Sequence, residues 1–256
     1  MQKVLSIVFS ALIFFISSYV SADQTQPEIV DKPIFKPTDT WTFRINDRSP
    51  NGETKERHVV VSIVRSSSNS VLQSAKAADS SMPPIEKLLG ADLSLSDSIN
   101  GQQVIVHKPF DFPMKIGKKW KVSYEKENPT KNVKKHRVEL QYEGIGWEEV
   151  SVTAGKFQAF KVEAEGTWRD EFNPTPLTTG SASQTDKDGA VIVLKNQNPS
   201  VPAPTTGKLF RTYWYVPVIK REIKNIEEQF TADGSLASRS TWELESYMLD
   251  GLGNKK

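Results

Sequence analysis

Cysteine is absent from the chain. That excludes disulfides, thiol nucleophiles, thiolate metal sites and the cysteine a bacterial lipoprotein needs after its leader. Histidine is nearly absent: His58, His107 and His136 are the three, and none lies in an H-x-x-x-H spacing, so a zinc hydrolase site is not expected. There is no excess of charge of one sign, with 33 Lys+Arg against 31 Asp+Glu. A field that would gather nucleic acid is therefore not expected. No G-x-S-x-G elbow occurs, and sustained helical periodicity is missing after the first 22 residues.

The one long apolar run lies at the start. Lys3 is followed by apolar residues from Val4 to Val20, interrupted by serines, and Val20-Ser21-Ala22 offers the small residues that signal peptidase requires. The expectation is a leader over 1–22 and a mature chain over 23–256 beginning at Asp23, placed in the periplasm or secreted. Losing Lys3 takes the formal charge from +2 to +1. Without disulfides, stability has to come from a hydrophobic core, and a chain of this length can bury one.

What is present is period-two alternation. "TWTFRIND" sets Trp41, Phe43 and Ile45 against polar neighbours, Asn51-Gly52 marks a turn, and "HVVVSIV" resumes as a strand. "KKWKVSYE", a turn at Asn128-Pro129 and "HRVELQYE" repeat that grammar. Trp41 aligns with Trp120, Pro50 with Pro129, Lys55 with Lys134 and Val59 with Val138, a constant offset of 79 that a duplicated hairpin would leave. Farther on, Val150 and Val152 share a face, Gly155 breaks the strand, and Phe160, Val162, Ala164 and Trp168 share the next face. Phe157 is out of phase, which predicts a β-bulge near Gln158 or Ala159. A turn at Asp233-Gly234 precedes "STWELESY", with Trp242 and Leu244 on one face.

Two stretches break the pattern. Residues 66–100 are rich in Ser, Ala and Asp, with "PPIEKLLG" predicted as one short helix between its prolines and Gly90. Residues 173–207 hold five prolines and only "AVIVL" as a strand candidate; both stretches are expected to be long loop excursions. The expectation is a mainly β protein: a single-domain curved antiparallel sheet or half-barrel of nine or ten strands, one short helix and two loop excursions. An outer-membrane barrel is set aside, because "GLGNKK" lacks a terminal aromatic.

Candidate chemistry is sparse. In "RTYWYVP" alternation puts Tyr213 and Tyr215 on one face and Trp214 on the other. Tyr213 and Tyr215 are the ligand-lining candidates, and Trp214 is expected to share the core face with Trp120 or Trp242. Lys118, Lys119, Lys121, Lys134, Lys135 and Arg137 are candidates for a basic patch facing anionic lipid or envelope polymers, or else for a solvated hairpin that blocks edge pairing. Carboxylate pairs such as Glu148/Glu149, Glu163/Glu165, Asp170/Glu171 and Glu243/Glu245 are ordinary for an outer sheet face, and "TDKDG" reads as a turn rather than a calcium loop. No catalytic residue, metal ligand or cofactor is expected.

Three stretches, "FPMKIGKKWKVSYE", "WEEVSVTAGKFQAFKVEAE" and "TYWYVPVIKREIK", together resemble a group of exported bacterial β-proteins of uncharacterised function, a domain-of-unknown-function group with G-x-x-W, V-x-A-G-x-F and Y-W-Y-x-P strands. The resemblance falls on Gly117 and Trp120, on Val152, Ala154, Gly155 and Phe157, and on Tyr213, Trp214, Tyr215 and Pro217; Thr153 departs from it, where proline is expected. It implies fold and compartment, and carries no catalytic residues. The layout also resembles, more distantly, the lipoprotein-carrier type of half-barrel. The functional expectation is a non-enzymatic exported protein whose concave face takes an apolar or anionic lipid ligand or an envelope protein. The alternatives are an accessory interaction module of an envelope assembly and an envelope hydrolase using paired carboxylates.

Overall fold

The computed structural model describes residues 26–185, 191–250 and 252–254. The leader expected over 1–22 and all but Thr185 of "TDKDG" lie outside the described residues. The strands are β1 Thr40–Arg48, β2 Thr54–Ser66, β3 Ser70–Ala77, β4 Ile85–Gly90, β5 Leu95–Ile99, β6 Gln102–His107, β7 Lys119–Glu127, β8 Val133–Val152 and β9 Gly155–Phe172. They continue as β10 Thr175–Thr185, β11 Val191–Ser200, β12 Thr205–Val216, β13 Arg221–Thr231, β14 Leu236–Leu249 and β15 Leu252–Asn254. A 3-10 turn, Pro217–Ile219, is the one helical element among the described residues.

One large antiparallel sheet runs β4-β3-β2-β1-β14-β13-β12-β9-β8-β7, with β15 beside β14; it is curved and does not close into a barrel. β5 with β6, and β10 with β11, form separate ladders. The curved antiparallel architecture is as expected, and three details differ. "PPIEKLLG" is the edge strand β4, not a helix: Val71 pairs with Leu89 and Ala75 with Ile85. A one-turn stretch gains more from completing a sheet edge and burying Leu89 against the core than from isolated helical bonds. The excursions are not loops either, since 66–100 carries β3, β4 and β5, and 173–207 carries β10 and β11.

The bulge also sits elsewhere. β9 pairs with no extra residue of its own, and the two additional residues are in β8: Lys134, between Val133 and Lys135, and Ile145, between Gly144 and Gly146. Ala159 and Phe160 are both buried for a different reason. β12 stops pairing at Tyr215↔Phe160, so the β8–β9 tip runs past it toward β14. There the Ala154 N–H donates to the Leu244 carbonyl (3.1 Å) and Phe157 packs on Tyr247, burying the opposite parity.

Both expected hairpins form, and Trp41 and Trp120 enter one core cluster. The gap-free offset does not survive. Trp41 faces Val61, whereas Trp120 faces Tyr142 and not Leu140, a shift of two residues. An even shift keeps the same side chains inward. The hairpins also occupy different places, since β7 is a sheet edge while β1 lies inside between β2 and β14.

Cross-strand partners share a face, so the pairing identifies the inner surface. One row joins Arg57, Ile45, Trp242, Asn225, Tyr213 and Val162 across β2, β1, β14, β13, β12 and β9. Leu93, Phe110 and Met114, from the segment after β4, cover part of this surface and are buried; Met114 is bridged to Val30 by two backbone hydrogen bonds.

Candidate functional site

Tyr213 and Tyr215 do alternate against Trp214, and the faces are the reverse of those expected. Both tyrosines point inward and are buried, on the surface that carries Trp242 and Trp120. Phe110 packs on Tyr215 (4.9 Å between ring centroids) and on Tyr213 (5.9 Å). Trp214 lies outside, half-buried, with the ammonium groups of Lys161 and Lys224 over its ring and its indole N–H donating to Glu148. Trp is the larger ring, but inner volume near β12 is already taken by Phe110 and Phe112, while two lysine stems can cover an outer indole.

The tyrosines differ in surroundings. Tyr215 is 0 % exposed and its hydroxyl is buried without a hydrogen-bond partner; burial, then Glu222, pushes its pKa up. Tyr215→Phe is expected to be neutral or stabilising by up to about 1 kcal/mol, because the lost group makes no bond. A destabilisation above that in chemical denaturation would show that the hydroxyl is satisfied. Tyr213 instead donates to Glu227 Oε1 (2.6 Å), and burial followed by Glu227 holds its phenol well above the ordinary range.

Around Tyr213 the inner face is polar. Asp47, Ser240, Glu227, Arg211, Ala164 and Tyr142 form a second cross-strand row beside the first. Ser240 Oγ donates to Asp47 (2.6 Å), Arg211 lies 3.7 Å from Glu227, and its Nη1 donates to Tyr142 Oη (3.4 Å) and to His107 Nδ1 (3.1 Å). Burial works to lower the Arg211 pKa, and Tyr213, Glu227 and Tyr142 outweigh it, so the guanidinium stays charged. Burial lowers the His107 pKa, with Arg211 adding to it. A neutral imidazole has the lone pair that Arg211 needs.

At the other end of the inner face, Arg221 lies over the rings of Trp41 (5.1 Å) and Phe43 (5.4 Å). Its Nη1 donates to Gln73 (3.1 Å) and its Nη2 to Glu222 (3.2 Å). Arg221 and Asn225 are each 6 % exposed, and Arg221 Nε and Asn225 Oδ1 are buried with no hydrogen-bond partner. Both residues line a cavity of about 400 Å³ between the sheet and its cover. Val61, Ala75, Leu89, Leu93, Leu95 and Trp242 supply apolar wall; Tyr213 and His107 border it, and Arg57 and Lys87 stand at its exposed side. A second hollow of about 340 Å³ adjoins it, sharing Glu227 and Ser240 and continuing toward Arg48 and Arg239.

These polar residues were not singled out from the sequence. The signal was available on β13, where neither parity is apolar: Lys224, Ile226 and Glu228 alternate with Asn225, Glu227 and Gln229. A strand with two polar faces that is interior to the sheet must bury one of them.

The basic candidates carry partners. Lys119 pairs with Glu143 (3.2 Å), Lys121 with Glu139 (3.1 Å), and Lys135 and Arg137 both with Glu125 (2.9 and 2.5 Å). Lys118 pairs with Asp111 (2.8 Å) and donates to the Asp111 and Pro113 carbonyls, tying the cover to β7. Lys134 is exposed. The carboxylate pairs are likewise distributed among basic side chains: Glu149 with Lys156, Glu163 with Lys161, Asp170 with His136, Glu171 with Arg169, Glu243 with Arg44 and Lys224, and Glu245 with His58. Among the described residues no group of three or more His, Asp or Glu is placed to hold a metal, and no helix is long and apolar enough to cross a membrane.

The residues of the sequence resemblance sit largely at turns and in the core. Gly117 has φ of 77° and donates its N–H to the Gly144 carbonyl, Gly155 has φ of 144° in the β8–β9 turn, and Pro217 opens the 3-10 turn. No protein-family model matches the chain, and no curated protein matches it. Solved structures align with the chain at low identity. One, described as an exported protein with a YmcC-like fold from Bacteroides fragilis, is 15% identical over 86% of this chain and 99% of that one, with a TM-score of 0.42. One described as a lipoprotein from Parabacteroides distasonis is 13% identical over 87% and 100%, with a TM-score of 0.46. A LolA superfamily protein from Nitrosomonas europaea is 9% identical over 85% and 88%, with a TM-score of 0.30. Likenesses this distant leave the function to the site itself.

Proposed function

We propose that this is an exported, non-enzymatic binding protein that takes a small apolar or amphiphilic ligand between its curved sheet and the segment covering it. The observation that carries the reading is the inner hollow of about 400 Å³ between the sheet and its cover, where Val61, Ala75, Leu89, Leu93, Leu95, Pro109 and Trp242 stand among polar and charged side chains. Small-molecule sites combine apolar wall with convergent polar groups and span roughly 300–1,000 Å³, a range that includes this hollow. Export is supported by the leader pattern at residues 1–22. A catalytic role has less support, since the carboxylates named above are spread over the sheet and paired with basic side chains. The accessory-module reading draws on one feature, the packing of Phe110 and Phe112 onto Tyr215, which closes part of the inner face.

Filling the cavity separates the two readings. Ala75 lines it from β3, and Ala75→Phe puts a ring into the space while leaving the pairing of β3 intact. The wild type is expected to enhance the fluorescence of the neutral probe N-phenyl-1-naphthylamine. Ala75→Phe should abolish the enhancement with the melting temperature within a few degrees (about 1 kcal/mol) of wild type. A wild type that does not bind the probe, or a variant that binds it equally well, would favour the accessory module.

A further inference from the structure

We propose that the β5–β6 hairpin is a lid over the inner hollow, fastened by His107 only while its imidazole is neutral, and that mild acid unfastens it and releases what the hollow holds. The release rests on the reading above, and the fastening does not. β5 and β6 pair with each other and with no strand of the large sheet, so the hairpin can lift without breaking a ladder. Leu95 and His107, paired across it, line the hollow. Polar side chains hold the hairpin down in two places. Lys126 of β7 pairs with Asp97 (2.5 Å), and Arg211 of β12 donates to His107 Nδ1 (3.1 Å), whose ring stands edge-on to Tyr213 (6.0 Å between centroids).

A guanidinium only donates, so the bond to Arg211 exists only while Nδ1 has a lone pair. A proton on that nitrogen leaves two positive donors face to face. Two carboxylates on β13 favour the imidazolium, but Glu227 already takes the Tyr213 hydroxyl (2.6 Å) and faces Arg211 (3.7 Å), while Glu222 pairs with Arg221 (3.2 Å). Lys87 of β4 opposes it. Arg57 of β2 is paired with Asp47 and Lys108 with Asp111; Tyr142 of β8 and Tyr124 of β7, near Arg211, are phenols whose pKa burial raises. Burial, opposed by Glu227 and joined by Arg211, lowers the His107 pKa while the hairpin is closed. The fastening is therefore complete above the ordinary histidine range and lost as pH falls below it. Lys126 lowers the Asp97 pKa, so the second contact survives mild acid. The other histidines face carboxylates, His58 on Glu245 (2.8 Å) and His136 on Asp170 (2.5 Å), where a proton completes an ion pair.

The test is hydrogen–deuterium exchange of the amides of residues 95–107 at pH 7.5 and 5.5, corrected for the intrinsic pH dependence of exchange. The wild type is expected to lose about tenfold in protection at pH 5.5, the effect of one pKa unit between the closed and open hairpin. His107→Asn keeps a side-chain acceptor that does not titrate, and its protection should be the same at both values. The His107 ring signals of the wild type, followed by NMR over the same range, should titrate in step with the loss. Unchanged protection in the wild type, a loss that persists in His107→Asn, or a ring that stays neutral while protection falls each overturns the lid. N-phenyl-1-naphthylamine bound at pH 7.5 should be released at pH 5.5 by the wild type and retained by His107→Asn. A hairpin that loosens while the probe stays bound overturns the release alone. A wild type that does not bind the probe at pH 7.5 overturns the cavity reading, and the exchange result still decides the lid.

Discussion

Tyr215→Ala is expected to destabilise the protein by about 3–5 kcal/mol, the cost of truncating an aromatic ring in a closed core. Tyr215 is fully buried, with Phe110 at 4.9 Å and Phe112 at 5.3 Å, so removal leaves a cavity lined by rings fixed from two elements. Trp214→Ala, one residue away, should cost only about 1–2 kcal/mol. It gives up two lysine–ring contacts and one bond to Glu148 on a half-exposed surface, where water replaces what is lost. Guanidinium denaturation of the two variants decides the matter. If Trp214→Ala proves the more damaging, the inward assignment of Tyr215 is wrong.

Gly207→Ala is expected to cost about 2–4 kcal/mol although it adds one methyl group. Gly207 lies in β12, paired with Trp168 of β9 and Thr231 of β13. A Cβ built there overlaps the Phe230 carbonyl oxygen, and the Trp168 indole nitrogen is 2.7 Å away. Those two atoms are hydrogen-bonded to each other at 3.0 Å. The new methyl therefore has to push β13 away and break a partly buried bond at once, and the neighbour that must yield is backbone in the middle of a ten-strand path. Thermal unfolding is the measurement, and a melting temperature unchanged from wild type would show that the strands can part there without loss. Restoring space with Trp168→Phe in the same chain should not rescue the variant, since the clash with the Phe230 carbonyl remains.

The hairpins β1–β2 and β7–β8, the inward sets Trp41, Phe43, Ile45 and Phe160, Val162, Ala164, and the turn at Gly234 were legible because alternation is a local property. A residue's neighbours two positions away reveal its face without knowledge of what it packs against. Gly234, with φ of 83°, needs only its own backbone to explain it. The same locality explains the misses. "PPIEKLLG" offers helix boundaries at both ends, and its state was settled by β3, which supplies the hydrogen bonds. The gap-free repeat rested on identities along the chain, while register depends on loop length: β1 and β2 resume pairing at Arg48↔Thr54, β7 and β8 at Glu127↔Lys135.

Composition and alternation by themselves determined that this is a mainly β chain without cysteine, with an export leader pattern and a core of alternating aromatic and branched residues. Tertiary structure alone decided which face is inside where both are aromatic or both polar, as in β12 and β13. Alternation defines two faces, and only sheet curvature and the cover carrying Phe110 and Met114 bury one of them. It also decided that Arg221, Glu222 and Asn225 are buried together. Their partners Gln73 and Trp41 lie some 150 and 180 residues earlier in the chain, and a polar residue's burial is set by such distant partners and not by its sequence neighbours.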